Sequence, residues 1–106
     1  MKMKKWRVIQ WATGHVGRHA LRAIAQHPEL ELVGVWVSSA EKEGRDAGEL
    51  CGLERRLGIR ATRDAERLLA MEADCVSYAG ATDSRPAEAI EDMCRMLASG
   101  KNVVTS

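Results

Sequence analysis

The chain has 106 residues, 45% of them hydrophobic and 29% charged, which suits one small globular domain around a single core. With 16 basic and 15 acidic residues the formal net charge is +1, which argues against nucleic acid or an anionic membrane surface as the main partner. No run approaches the roughly 20 apolar residues of a membrane span, and no signal-type apolar run follows the basic start Met1–Lys5, so a cytoplasmic protein is expected.

Strand and helix patterns alternate almost from the first residue. Trp6 to Trp11 is a β-rich run, and Thr13-Gly14-His15-Val16-Gly17 is a glycine-bearing turn. Val16, Ala20, Ala23 and Ile24 then fall at helical spacing, up to His27 and Pro28. Leu30 to Val37 is a nearly continuous apolar run, as in a strand buried on both faces of a parallel sheet. Residues 38–57 are polar and read as a long loop with one helical turn near Ala47 to Leu50. Gly58 to Thr62 predicts a short edge strand. Asp64 predicts an N-cap for a helix carrying Ala65, Leu68, Leu69 and Met71. Asp74 to Tyr78 predicts a strand and Gly80 to Ser84 a loop. Pro86 opens a helix with Ala89, Ile90, Met93, Met96 and Leu97 on its apolar face, closed by Gly100. Asn102 to Thr105 is the last strand. The order β-α-β-loop-β-α-β-α-β implies an α/β fold: a Rossmann-type parallel sheet with helices on both faces, in a single domain. No following helix covers the last strand, which reads as a sign that a further domain belongs after it. The same strand offers an edge for pairing with a second copy.

The most informative segment is Ala12-Thr13-Gly14-His15-Val16-Gly17. It follows a strand and opens a helix, the setting in which a glycine fingerprint has a physical meaning. The backbone must approach a pyrophosphate at Gly14, and the helix must pack closely on the strand at Gly17. The N–H groups of the helix start then bind the anion, helped by the helix dipole. Ala12 stands where the first glycine is usual, and alanine is expected to tolerate that turn only with a negative φ. A plain strand-turn-helix using glycine for geometry is the competing reading.

Adenosine recognition is expected at the end of the second strand, where NAD-binding domains place an acid. Here the residues are Ser38 and Ser39, with Lys42 and Arg45 close behind. Hydroxyls and a cation suit a 2′-phosphate better than a free 2′-hydroxyl, so the pattern favours NADP, with NAD as the alternative. Glu41 and Glu43 argue the other way.

Those segments, with Asp46-Ala47-Gly48-Glu49-Leu50 and the tail Gly100-Lys101-Asn102-Val103-Val104-Thr105, resemble the N-terminal domain of the dihydrodipicolinate reductase family. Trp11 to Arg18 and Gly34-Val35-Trp36-Val37 are similar to its actinobacterial branch, which holds the 2,4-diaminopentanoate dehydrogenases and related amine dehydrogenases. The resemblance implies a domain that binds NAD(P)H, with Ala79, Gly80, Ala81 and Thr82 and the strand end at Thr105 near the nicotinamide. It also implies a C-terminal domain that holds the substrate site and mediates oligomerisation. Ala12 at the first fingerprint position favours the amine-dehydrogenase branch over lysine biosynthesis.

Other constellations read as structural. His15 and His19 lack the intervening glutamate and third ligand of a zinc site, so no metal is expected. His27 reads as an imidazolium at a helix C-terminus. Cys51, Cys75 and Cys94 form no C-x-x-C pair and read as reduced core thiols. Asp74 and Asp83 lie at opposite ends of one strand and read as loop and cap residues. Tyr78 fits either a place beside the cofactor or the core. No catalytic residue is assigned. The function expected is cofactor binding for an oxidoreductase acting on C=N or C–NH2 bonds of a small amine or imine, and the alternative is a non-catalytic dinucleotide-binding or sensing module. An S-adenosylmethionine site would want an acid where Ser38 and Ser39 stand.

Overall fold

The computed structural model describes residues 5–80 and 86–105. Along them run β1 (Trp6–Trp11), α1 (His15–Gln26), β2 (Leu30–Trp36), α2 (Ala47–Leu50), α3 (Ala65–Ala70), β3 (Cys75–Tyr78), α4 (Pro86–Ala98) and β4 (Asn102–Thr105). The strands form one parallel sheet in the order β2-β1-β3-β4. Strand β1 is central, and two separate cores lie against the sheet. Ile9 and Trp11 join Val76 and Tyr78 beneath Leu68 of α3 and Met96 of α4. On the other face Leu21 of α1 packs with Val35, Val37, Ala47, Cys51 and Ala61. Each such aliphatic side chain contributes about 1.5–3 kcal/mol on burial. Helices therefore cover both faces, the α/β arrangement expected from the alternation. No helix among the described residues is long and apolar enough to cross a membrane.

Residues 58–62 depart from the expected strand. They make only two isolated bridges, Thr62 to Trp36 in parallel and Arg60 to Asp46 in antiparallel. The cause is competition for the backbone. Ile59 O accepts from Ala47 N–H at 2.7 Å, and Ala61 exchanges bonds with Gly44 and Arg45 at 2.8 and 2.9 Å. Only Thr62 is left to bond β2, through Val35 O and Val37 N–H, both at 3.0 Å. The segment is thus divided between the loop and the sheet.

Helix α1 buries Gly17, Leu21 and Ile24, a stripe at i, i+4 and i+7. The stripe predicted from Val16, Ala20, Ala23 and Ile24 is rotated from this one, and Val16 is 53% exposed. Leu97 corrects the last helix in the same way: it follows fully buried Met96 and is left 57% exposed. Side chains of Ala89 and Ile90 lie outside the described residues, as do the loop positions Ala81 to Ser84. His27 does cap α1, and its Nδ1 accepts from Glu29 N–H at 3.0 Å. Cys51 is buried and Cys75 half-buried, whereas Cys94 is exposed on α4 and does not belong to the core. Burial, and then the neighbouring Asp74 carboxylate, push the Cys75 thiol up, which keeps it an unreactive thiol.

The loop after β2 is held by Asp46. Its carboxylate is buried and accepts N–H bonds from Gly48, Leu57 and Gly58, each at 2.8 Å. The first of these caps α2, and the other two fasten the far end of the loop. Burial would raise the Asp46 pKa. The three backbone donors, with a smaller contribution from Arg56, outweigh burial and hold it below its ordinary value.

Candidate functional site at the carboxyl edge of the sheet

The pairing register sets Trp36, Trp11, Tyr78 and Thr105 in one row across the carboxyl ends of the strands. From β1 the chain goes first to β2 on one side, and later to β3 on the other. The crevice above β1 is therefore a topological switch point, where open α/β sheets bind ligands. The segments singled out in the sequence leave from this row: residues 12–17 after β1, Ser38 to Lys42 after β2, and Ala79 and Gly80 after β3.

The glycine turn is tightly built. Ala12 has a φ of +78°, the one positive value among described non-glycine residues, so the negative φ expected there is overturned. Both ends of the residue are fixed. Its N–H donates to Trp36 O at 2.8 Å, and its carbonyl accepts from Gln10 Nε2 at 3.0 Å. A left-handed alanine costs about 1–2 kcal/mol, while glycine has greater freedom to lose on folding. Ala12→Gly is therefore expected to stabilise the domain by about 0.5–1 kcal/mol, read as a higher midpoint in urea unfolding.

Gly17 is required by packing. A Cβ there would run into the Ala12 carbonyl and stand 3.2 Å from the Ala79 Cβ. The turn, α1 and the end of β3 thus close on one hydrogen atom. Gly14 is different. It has an ordinary extended backbone and caps α1, and a Cβ built on it would meet nothing within 4 Å. The fold does not need glycine there, and the space in front of it is open. Helix α1 has no side-chain cap and no acid in its first turn, which leaves its leading N–H groups for an anion. His15 and Val16 are exposed at this mouth, with the His15 ring edge-on to His19 at 5.4 Å.

Lys42 is brought to the same place from the next loop. Its Nζ donates to Thr13 O at 3.1 Å and to Thr13 Oγ1 at 3.2 Å, so a cation is seated on the glycine turn. Ser39 Oγ accepts from Glu41 N–H at 3.2 Å and keeps its own hydrogen to donate, and Ser38 is exposed beside it. Glu43 Oε2 accepts from Arg63 N–H at 3.0 Å. One of the two acids that argued against a phosphate is thus committed to the fold.

On the far side of β1, Ala79 N–H donates to Trp11 O at 2.9 Å, and Gly80 lies against the Tyr78 ring, which a side chain at 80 would strike. Tyr78 itself is core: it is 3% exposed and its hydroxyl meets Asp92 Oδ2 at 3.3 Å. Thr105 ends β4 in the same row, two strands away from the glycine turn. Ala81 and Thr82 lie outside the described residues.

Sequence reasoning missed three features here. Trp11 and Trp36 stack at 5.0 Å and 9° between planes, which stiffens the floor of the crevice. Arg63 follows the Thr62 bridge and is exposed beside the carboxyl end of β2. Gln10 is fully buried under the turn. Its signal was available: an amide in the middle of Val8-Ile9-Gln10-Trp11 breaks an otherwise apolar central strand.

A parallel sheet with helices on both faces, and a glycine turn opening a helix at its switch point, define a Rossmann-type dinucleotide-binding domain. The chain belongs to the family described as dihydrodipicolinate reductase, N-terminus, whose model matches residues 8–105. An amine dehydrogenase from Streptomyces virginiae is 48% identical over 97 residues, covering 92% of this chain and 27% of that protein. A 4-hydroxy-tetrahydrodipicolinate reductase from Trichormus variabilis is 44% identical over 62 residues, covering 58% of this chain and 22% of that protein. Among solved structures, the amine dehydrogenase from Mycobacterium smegmatis superposes with a TM-score of 0.78 at 28% identity, over 94% of this chain and 29% of that one. The chain thus spans less than a third of the length of these relatives.

Proposed function

We propose that this chain is the cofactor domain of an NADP(H)-dependent oxidoreductase acting on C=N or C–NH2 bonds of a small amine or imine substrate in the cytoplasm. A further domain, C-terminal to Ser106, supplies the substrate pocket and the oligomer contacts, and the domain by itself binds dinucleotide without turnover. The observation that carries the reading is the pairing of an open cradle at Gly14 with the Lys42 ammonium seated beside it on Thr13. The residues fit a dinucleotide as follows. The leading amides of α1, with Ala12, Thr13, Gly14, His15, Val16 and Gly17, hold the pyrophosphate. Ser38, Ser39 and Lys42 hold the 2′-phosphate. Ala79, Gly80 and Thr105 lie toward the nicotinamide end, to which the family resemblance also assigns Ala81 and Thr82, outside the described residues. When bound, the nicotinamide supplies the hydride, and the domain orients it. The 48% identity to an amine dehydrogenase supports the C–NH2 class of chemistry.

Lys42→Met tests the preference. Losing one charge-assisted contact to a phosphate is worth roughly tenfold or more in affinity. NADPH affinity is expected to fall by about that factor while NADH affinity changes less than about threefold, both read by calorimetry. Equal losses for the two ligands would remove Lys42 from 2′-phosphate recognition.

A further inference from the structure

Gln10 is the most deeply buried polar side chain among the described residues, at 0% exposure in the middle of the central strand. Its Nε2 is bonded to Ala12 O, but its Oε1 has no partner among the described residues. Burying an amide whose carbonyl oxygen has no partner is unfavourable, and an apolar side chain of the same length would avoid it. A residue that costs stability at the heart of a fold calls for a reason beyond stability.

The single bond it makes supplies one. It grips the carbonyl of Ala12, whose φ of +78° is a conformation alanine does not keep unaided. The peptide joining Ala12 to Thr13 is planar and trans, so its N–H points opposite to its C=O. With the carbonyl held between the Gln10 amide and Gly17, the Thr13 N–H is turned the other way. No acceptor for that N–H occurs among the described residues. It is the donor immediately before the open space at Gly14.

We propose that Gln10 is a positioning residue of the dinucleotide site: its side-chain amide locks Ala12 in the left-handed conformation and thereby aims the Thr13 N–H at the phosphate-binding space. Gln10 does not touch the ligand. The dinucleotide consequence rests on the function proposed above, whereas the conformational claim stands on the apo domain.

The test compares Gln10→Met, Ala12→Gly and the double variant. Methionine keeps the length and removes the donor. In apo protein, backbone chemical shifts should report a positive φ at residue 12 in the wild type and in the double variant, and its loss in Gln10→Met. NADPH affinity should fall by about tenfold in Gln10→Met, and by less than about threefold when glycine at 12 adopts the turn without help. Should Gln10→Met not fold, Gln10→Asn keeps an amide but shortens its reach, and the same comparison applies. Unchanged apo shifts at Ala12, or an affinity loss that is the same whether position 12 holds alanine or glycine, would overturn the positioning role. A wild type that binds no dinucleotide, with the shift change intact, would instead sink the proposed function and leave the lock standing.

Discussion

Gly14→Asp should abolish dinucleotide binding while leaving the domain at least as stable as the wild type. Gly14 already has an extended backbone that any residue can adopt, and its Cβ would project into open space. Aspartate is a preferred N-cap, so helix α1 would gain a few tenths of a kcal/mol over glycine. The same carboxylate would stand where the pyrophosphate must lie, adding like-charge repulsion to lost space. We expect a loss of about 100-fold or more in NADPH affinity. Gly17→Ala should behave in the opposite sense. Its methyl would collide with the Ala12 backbone, so the variant should lose about 1–3 kcal/mol of stability before any ligand is added. Urea unfolding and calorimetry on the two variants separate the roles. A destabilised Gly14→Asp, or a Gly14→Asp that still binds NADPH, would contradict the assignment of Gly14 to the ligand.

Asp46→Ala is the change expected to cost most in stability, about 3 kcal/mol or more. It strips three buried or half-buried N–H groups of a charged acceptor at once. That is a large fraction of the 5–15 kcal/mol typical of a domain. The pH dependence has a definite sign. The folded Asp46 pKa is lowered from 3.8, so its contribution is complete above the unfolded value and is lost as pH falls below 3.8 through the folded pKa. Urea midpoints measured from pH 6 to pH 2.5 should fall in the acid range for the wild type and fall less for Asp46→Asn. A variant with the wild-type acid profile would show that other carboxylates dominate. The Asp46 to Leu50 stretch that carried the family resemblance is thus scaffold, and its role is to brace the loop that delivers Lys42.

The architecture was legible in the sequence because each element announced itself locally. Asp64 does cap α3, with Oδ1 accepting from Arg67 N–H at 3.1 Å, and Pro86 does open α4. The glycine spacing located the turn between β1 and α1 at the carboxyl edge of the sheet. What stayed hidden was set by long-range competition. Nothing local in Gly58 to Thr62 says that Gly44, Arg45 and Ala47 will take most of its hydrogen bonds. Nor does spacing choose between Val16 and Gly17 as the buried start of α1; closeness to Ala12 and Ala79 does. The left-handed Ala12 was unreadable for the same reason, since its conformation depends on Gln10 beneath it and Trp36 beside it. The seat of Lys42 on Thr13 joins residues 29 apart in sequence, and only the fold brings them together.

The most direct test of the central claim is a side-by-side calorimetric titration of the wild-type domain with NADPH and NADH. Saturable 1:1 binding of NADPH, tighter than NADH by about tenfold, is the expected result. Absence of binding by either dinucleotide at millimolar concentration, with the domain folded, would contradict it.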